Sequence, residues 1–553
     1  MVSIFKIKAK SLVIPNHRMM KRSNLLFLQL FIFSLFLSFE GFSQFATPQW
    51  VSQFNSIGYS TVQRDFKVDS AGFSYSFFDV GDSNNAIAGA YIIKYDPAGQ
   101  LLWSLRVATN SSYGDGKLCL TNSNSIYTSI PYWNGSGIDI QLSKIDTAGI
   151  IIWQDSIGSP QNNVGGLIAG MVLDKSENIL IIGTTQNLDS SVIIKCDSAG
   201  NLNWIKYNST YDGPYDRGKA IDVDFLGNVY VAIASMDSTY FYNSVIAKYT
   251  PIGQLIWQDR FVDTLSASPQ FLKVFSDTII YVNGVLLGNS GGSDYQTFKL
   301  DSAGNVLWSK IFDAELYYNF PSNVADNPHA MLVTRDGNVA ITGDCVNNGM
   351  PWWVNIMYDK NGNLKWVGRD DQYIGYGRSI AEDPAGNLVF AGEIFDMTQG
   401  ILLGISKYDT LGNRAWISGY TDSSAQYYLS KVGLDYMGNI YGSAGNLLNY
   451  AQNSVTTLKY DYTVGISRPD QSDYFALVFP NPSVDFVHIE FKENCNGMIN
   501  IYDQFGKNIY VTQINNKKSI QIPVSTFVPG IYFFAFLGND EVQTSGKFVV
   551  QKK

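Results

Sequence analysis

The stretch Lys94–Trp103 reads KYDPAGQLLW, and it returns as KIDTAGIIIW at Lys144–Trp153 and as KCDSAGNLNW at Lys195–Trp204. The shared template is Lys-x-Asp-x-x-Gly-x-x-x-Trp. Its glycine and tryptophan recur as Gly99/Trp103, Gly149/Trp153, Gly200/Trp204, Gly253/Trp257, Gly304/Trp308, Gly362/Trp366 and Gly412/Trp416. Asp holds its place in six of these seven copies, Thr250 replaces it once, and Met357 replaces the lysine once. Successive tryptophans lie 50, 51, 53, 51, 58 and 50 residues apart. A period near fifty marks a solenoid or a propeller. Asp accepts hydrogen bonds from backbone amides just downstream and closes a turn. Gly takes the positive φ that the turn needs. Flanking runs such as Tyr91-Ile92-Ile93 and Leu101-Leu102-Trp103 are strand formers. The motif is therefore a β-hairpin, and its tryptophan is a large filler between neighbouring sheets.

A weaker turn falls midway between the tryptophans: DSAGFSY at Asp69, DFLGNVY at Asp224, DPAGNLV at Asp383 and DYMGNIY at Asp435. One period then holds four strands, the size of a propeller blade. An eighth hairpin, Lys459-Tyr460-Asp461, stops before reaching a tryptophan, while Trp50 in QWVSQF has no hairpin before it. The two defects are complementary. The expected fold is all-β: an eight-bladed β-propeller of four-stranded blades over residues 44–462, closed by the N-terminal strand. Closure removes open sheet edges.

These repeats resemble secreted bacterial β-propeller (SBBP-type) repeats over about residues 45–462, on the D-x-x-G-N-V-Y and K-Y-D-x-x-G-x-x-x-W stretches. The likeness implies the propeller and says little about activity. The hairpin is also similar to repeats of PQQ quinoproteins and to sialidase Asp-boxes, but the spacing differs from both, and no vicinal cysteine pair is present.

After Asp461 the period breaks. Residues 463–472 are polar with Gly and Pro and read as a linker. Residues 473–553 alternate short strands with Gly and Pro, which suggests a small β-sandwich. This segment resembles the type A C-terminal sorting domain of the type IX secretion system. The matching residues are Phe479-Pro480-Asn481-Pro482, Gly530-Ile531-Tyr532 and Lys547-Phe548-Val549-Val550, with Phe479 where Tyr is commoner. The likeness implies export through that machinery, with Pro480, Asn481, Pro482, Gly530, Tyr532 and Lys547 as the sorting motif.

The N-terminus fits export. Lys21-Arg22 precede an apolar run from Leu25 to Leu37, and Gly41-Phe42-Ser43 supplies small residues before Gln44. Residues 1–43 read as a secretory signal peptide, with Met19 or Met20 as alternative starts. Within residues 1–44 there are six Lys/Arg and one acidic residue, net +5, so the whole-chain charge of −9 becomes −9 − 5 = −14 without them. A chain that acidic repels phosphate backbones, so nucleic acid is excluded as a partner. No later segment is long and apolar enough to be a transmembrane span. The expected location is outside the cell or on its surface.

Chemistry is sparse. The propeller holds one histidine, His329, and neither a metal-ligand spacing nor a phosphate loop is present. Cys119, Cys196, Cys345 and Cys495 lie far apart and read as small buried hydrophobes. The expectation is no catalytic residue, no metal and no cofactor. Adjacent strands are antiparallel, so both Asp-x-x-Gly turns of a repeat fall on one face, and the longer loops fall on the other. Those loops are rich in aromatics, which suit sugar rings or peptides. The candidate ligand-binding residues are Tyr211, Tyr215, Tyr317, Tyr318, Trp352, Trp353, Tyr373 and Tyr376; packing between blades is the competing role for each. The Asp-Ser/Thr-aliphatic turns, such as Asp197-Ser198-Ala199, also resemble O-glycosylation sites. The function expected is non-catalytic binding of glycan or protein, with a polysaccharide hydrolase or lyase as the alternative.

Overall fold

The computed structural model describes residues 44–551 apart from 57–59, 82–86, 110–115, 122–124, 136, 159–166, 186–188, 209–214, 262–265, 288–291, 319–324, 348, 423–424, 449–451, 462–475, 481, 504–506 and 539–540. The signal peptide and the linker expected at 463–472 lie outside the described residues. The chain divides into two compact units, residues 1–436 with 441–458, and residues 437–440 with 459–553. Among the described residues no helix is long and apolar enough to cross a membrane.

The repeated hairpin has a definite chemistry. Asp96 Oδ1 accepts the backbone N–H groups of Ala98 and Gln100 at 2.9 and 2.8 Å, and Gly99 N–H donates to Asp96 O at 3.0 Å. Asp146, Asp197, Asp301, Asp359 and Asp409 repeat the pattern. Each template tryptophan from Trp103 to Trp366 then packs against the turn glycine of the following repeat, and four of them also hydrogen-bond that turn. Trp103 Nε1 donates to Thr147 O at 3.1 Å, Trp204 to Pro251 O at 3.1 Å, Trp257 to Ser302 O at 3.0 Å and Trp308 to Lys360 O at 3.2 Å. Lysine supports the same contact: Lys94 pairs with Trp103 across the hairpin, and its Nζ donates to Thr147 O at 3.0 Å. Gly149, at φ +82°, lies so close to the Trp103 ring that a Cβ there would sit 2.8 Å from Cδ2. The template thus encodes a turn and the seat for the previous repeat's tryptophan together.

The second turn is keyed by its own tyrosine. Tyr75 donates to Asp69 Oδ2, Tyr230 to Asp224 Oδ2 and Tyr441 to Asp435 Oδ2, at 3.2, 3.1 and 3.3 Å. Those rings also pack edge-on or tilted against Trp103, Trp257 and Trp50.

These hairpins assemble into a β-propeller of four-stranded meanders. Four separate sheets cover 60–109, 117–157, 167–208 and 216–261. Another contains Ala425–Leu434, Ile440–Leu448 and Gln452–Tyr460, and adds the N-terminal strand Trp50–Ser56 beside Gln452–Tyr460. A twelve-stranded sheet carries three further meanders, over 267–312, 325–369 and 374–420. They are joined by the parallel pair Ser293–Ala325 and by Leu364–Glu382, whose two halves serve successive meanders. Gln44–Phe45 adds in parallel to Trp416 and Ile417. The innermost strands touch in the order 60–68, 117–120, 167–173, 216–223, 267–275, 325–333, 374–382 and 425–434, and the last returns to the first. Second and third strands are almost wholly buried, as strands covered on both faces must be; Ile179–Thr184 and Ser191–Cys196 have no exposed residue.

The C-terminal unit corrects the expected sandwich. It is one continuous five-stranded sheet, with Phe486–Tyr502 at its centre. The first half of that strand pairs with Ala476–Phe479 and the second half with Gly530–Gly538, while Asn508–Pro523 follows it along its length. The register shifts between Glu490 and Gly497, and such irregularities bend a strand. A parallel bridge, Ser483–Val550, ties the two ends of the sheet together. A bent sheet with long strands covers both sides of one core, built from Val487, Ile499, Phe534, Phe536 and Phe548 among others, so a second sheet is not needed.

Candidate binding face and axial polar cluster

The aromatic candidates separate by burial and by contact. Tyr211 lies outside the described residues. Tyr215 is exposed, with the Arg217 guanidinium 6.0 Å from its ring centre. Tyr317 and Tyr318 belong to the helix Ala314–Tyr318 and pack edge to face at 4.9 Å. Tyr317 is exposed, and Tyr318 is half-buried against the core between meanders. Trp352 and Trp353 are neighbours on Met350–Tyr358, so they point to opposite faces. Trp352 is half-buried. Trp353 is 3% exposed, and its indole N–H is shared between Thr342 Oγ1 and Asn355 Oδ1 at 2.9 and 3.0 Å. Tyr373 and Tyr376 both lie on Leu364–Glu382.

Tyr376 leads to a group that inspection of the loops missed. Among the described residues six innermost strands carry a register shift at the same place, and the bulged residues are Arg64, Ala169, Lys219, Gln270, His329 and Arg378. A bulge re-aims the extra side chain out of the ladder. On adjacent strands these side chains meet: Arg378 Nη1 is 3.2 Å from His329 Nε2. The Arg378 guanidinium lies 4.5 Å from the Tyr376 ring centre, and the His329 and Tyr376 rings are 6.3 Å apart.

Buried acids hold these side chains. Asp344 and Glu393 are each 1% exposed. Asp344 Oδ1 bonds His329 Nε2 and Oδ2 accepts Asn327 Nδ2 at 3.2 Å. Glu393 Oε2 accepts Arg378 Nε at 2.6 Å and Oε1 accepts the Ser430 backbone N–H at 3.0 Å. Arg64 Nε and Asp79 Oδ2 form a third pair at 2.6 Å. Buried charges persist only when paired in this way. Among the described residues Lys219 has no such acid; burial, and then Arg217, hold its amine below the usual lysine range. The sequence signal was present: Arg64/Asp79, His329/Asp344 and Arg378/Glu393 are each separated by fifteen positions.

A second acidic group lies nearby. Asp294, Asp313 and Asp326 each bring one carboxylate oxygen within 4.8 Å of the other two. Burial, followed by the neighbouring carboxylates, pushes Asp294 up to about 6. Burial is also the main cause that pushes Asp326 up to about 8.

In the C-terminal unit the motif residues tie the ends of the sheet. Tyr532 donates to Val528 O at 2.6 Å and stacks on Phe548. Gly530 and Lys547 pair into the last hairpin. Ser483, just after Pro480 and Pro482, exchanges backbone bonds of 2.8 Å with Val549 and Gln551. Asn481 lies outside the described residues.

Strand topology and terminal sheet together define a β-propeller protein with a separate C-terminal domain. Residues 477–551 match the family model described as the secretion system C-terminal sorting domain. The protein is therefore one delivered by type IX secretion to the cell surface or beyond. No curated protein matches the chain. Solved structures of similar form include the β-propeller domain of the trilobed protease from Pyrococcus furiosus, 11% identical over 67% of this chain and 96% of that one, with a TM-score of 0.39. The WD40 domain of SCAP from fission yeast is 9% identical over 76% and 99%, with a TM-score of 0.41. A polysaccharide lyase of family PL25, an ulvan lyase, is 9% identical over 73% and 95%, with a TM-score of 0.38. At such scores the fold rests on the strand pairing itself.

Proposed function

We propose that residues 44–462 form an eight-bladed, closed propeller that acts as a non-catalytic binding module outside the cell, joined by 463–472 to the sorting domain at 473–553. Three meanders of the twelve-stranded sheet, added to the five separate sheets, make the eight blades, and Trp50–Ser56 is the closing strand. The ligand is a glycan or a protein segment. The observation that carries this reading is the grouping of Tyr376, Arg378 and His329, all half-buried, beside the loop-bearing face. A flat ring with a fixed guanidinium above it offers an apolar surface and oriented donors together, which suits sugar hydroxyls, carboxylates or peptide carbonyls. Glu393 and Asp344 pre-organise that group, so little side-chain entropy is lost on binding. Tyr215, Tyr317, Tyr318 and Trp352 widen the same face, and Trp353 stiffens the strand beneath it.

Binding of the full chain to glycan and peptide arrays, compared with Tyr376→Ala, tests this. Loss of roughly tenfold or more in affinity with an unchanged melting curve is expected. Unchanged affinity in the variant overturns it.

A second reading has one specific observation in its favour. A histidine, a tyrosine and an arginine in contact are also the groups that remove a proton, protonate a leaving oxygen and neutralise a carboxylate in a polysaccharide lyase. Release of unsaturated ends from uronic-acid polymers, abolished by His329→Ala, would favour that reading over the first.

A further inference from the structure

We propose that Asp294, Asp313 and Asp326 bind a single hard divalent cation, Ca2+ by size, where the 267–312 and 325–369 meanders join. The three residues come from separate segments. Asp294 is the second residue of Ser293–Asp301, Asp313 follows Val306–Phe312, and Asp326 is the second residue of Ala325–Val333. All three therefore sit at the strand ends opposite the Asp-x-x-Gly turns, on the loop-bearing face.

Two observations point to a ligand. One is spacing: three carboxylate oxygens within 4.8 Å of one another can share one ion with Ca–O bonds of about 2.4 Å. The other is an orphaned atom. Asp326 is 1% exposed, its Oδ2 accepts the Ala314 N–H at 2.8 Å, and its Oδ1 is buried with no hydrogen-bond partner among the described residues. Native interiors rarely leave such an acceptor bare without an ion or a catalytic role. Asp313 is positioned from its own side, since its Oδ1 accepts the Leu316 N–H at 3.0 Å and its carbonyl accepts the Tyr317 N–H at 3.0 Å. Carboxylate oxygens with no nitrogen or sulfur donor select a hard cation over a transition metal. The bound ion would join the third strand and outer edge of one meander to the innermost strand of the next, and would fix the helix that carries Tyr317 and Tyr318. This inference is independent of the glycan or peptide reading.

The test uses the full chain, stripped with a chelator and titrated with Ca2+ alone. The melting temperature should rise with Ca2+. Tb3+ should show tyrosine-sensitised emission, because Tyr317 and Tyr318 lie beside Asp313, and Ca2+ should quench that emission by displacement. Asp294→Asn and Asp313→Asn, at the two less buried positions, should each weaken Ca2+ binding by roughly tenfold or more. Asp359→Asn, in an exposed turn, should leave it unchanged. Absence of both Tb3+ emission and a Ca2+-dependent melting shift overturns the proposal. So does wild-type Ca2+ affinity in Asp294→Asn or Asp313→Asn.

Discussion

The indole N–H of Trp50 donates to the backbone carbonyl of Pro97 at 3.0 Å. This is the bond that Trp103 makes to Thr147 and Trp257 makes to Ser302. The ring of Trp50 also lies under Gly99, as Trp103 lies under Gly149. A tryptophan at the start of the described chain thus occupies the seat that the next six turns receive from the repeat before them.

If that seat closes the ring, Trp50 matters as much as an internal tryptophan. Trp50→Ala should cost about 3 kcal/mol, the low end for a large aromatic because the ring is only partly buried. Trp50→Phe keeps the ring and loses one hydrogen bond, so it should cost about 1 kcal/mol. Urea unfolding measures both. A Trp50→Ala protein as stable as the parent would mean that the closing strand contributes nothing.

Glycines of similar φ should respond differently to substitution. Gly149 and Gly135 have φ of +82° and +100°, but a Cβ meets Trp103 at the first and nothing within 4 Å at the second. Gly135→Ala should lose only the backbone term, about 1 kcal/mol. Gly149→Ala adds overpacking against the indole and should lose about 3 kcal/mol. Equal losses at the two sites would refute the docking role assigned to the turn.

Acid should expose the turn carboxylates. Burial by itself raises Asp383, but Lys407 at 2.8 Å and the Asn387 side-chain and backbone N–H groups outweigh it, and the carboxyl sits below its usual range. A depressed folded value means stability present above the unfolded carboxylate value of about 3.9 and lost as pH falls through the folded one. Asp383→Asn should therefore be less stable than the parent at pH 6, with the gap closing below about pH 4. Thermal melts of both proteins across that range measure it. A gap that stays constant down to the lowest pH would rule out the linkage.

The thiols should be inert. All four cysteines are free, and three are buried. Burial is the main cause that pushes Cys119 and Cys196 up to about 12, and a thiol reagent attacks only the thiolate. Native protein at pH 8 should react with a chromogenic disulfide far more slowly than unfolded protein, which should release four equivalents. Prompt reaction of Cys196 in the native state would contradict its burial.

Much of the propeller was legible because its defining contacts repeat with the chain. Asp96, Gly99 and Trp103 act within one hairpin and on the turn about fifty residues on, so each copy writes the same letters. The unpaired Trp50 and the incomplete hairpin at Lys459 were visible for the same reason. The site was less legible. Trp352 and Trp353 look alike in sequence, yet strand alternation makes one a half-buried residue and the other core. His329 and Arg378 meet only through bulges on adjacent innermost strands, and the sequence does not mark those bulges.

The sequence by itself determined the repeat, its turns and its tryptophan seats, because those depend on backbone conformation and on neighbours at a constant separation. Tertiary structure alone decided which polar side chains face one another: Arg378 with His329, and Asp294 with Asp313 and Asp326. It also decided that the C-terminal domain is one bent sheet. The energies of such contacts depend on burial and charge pairing that exist only once the strands are in register.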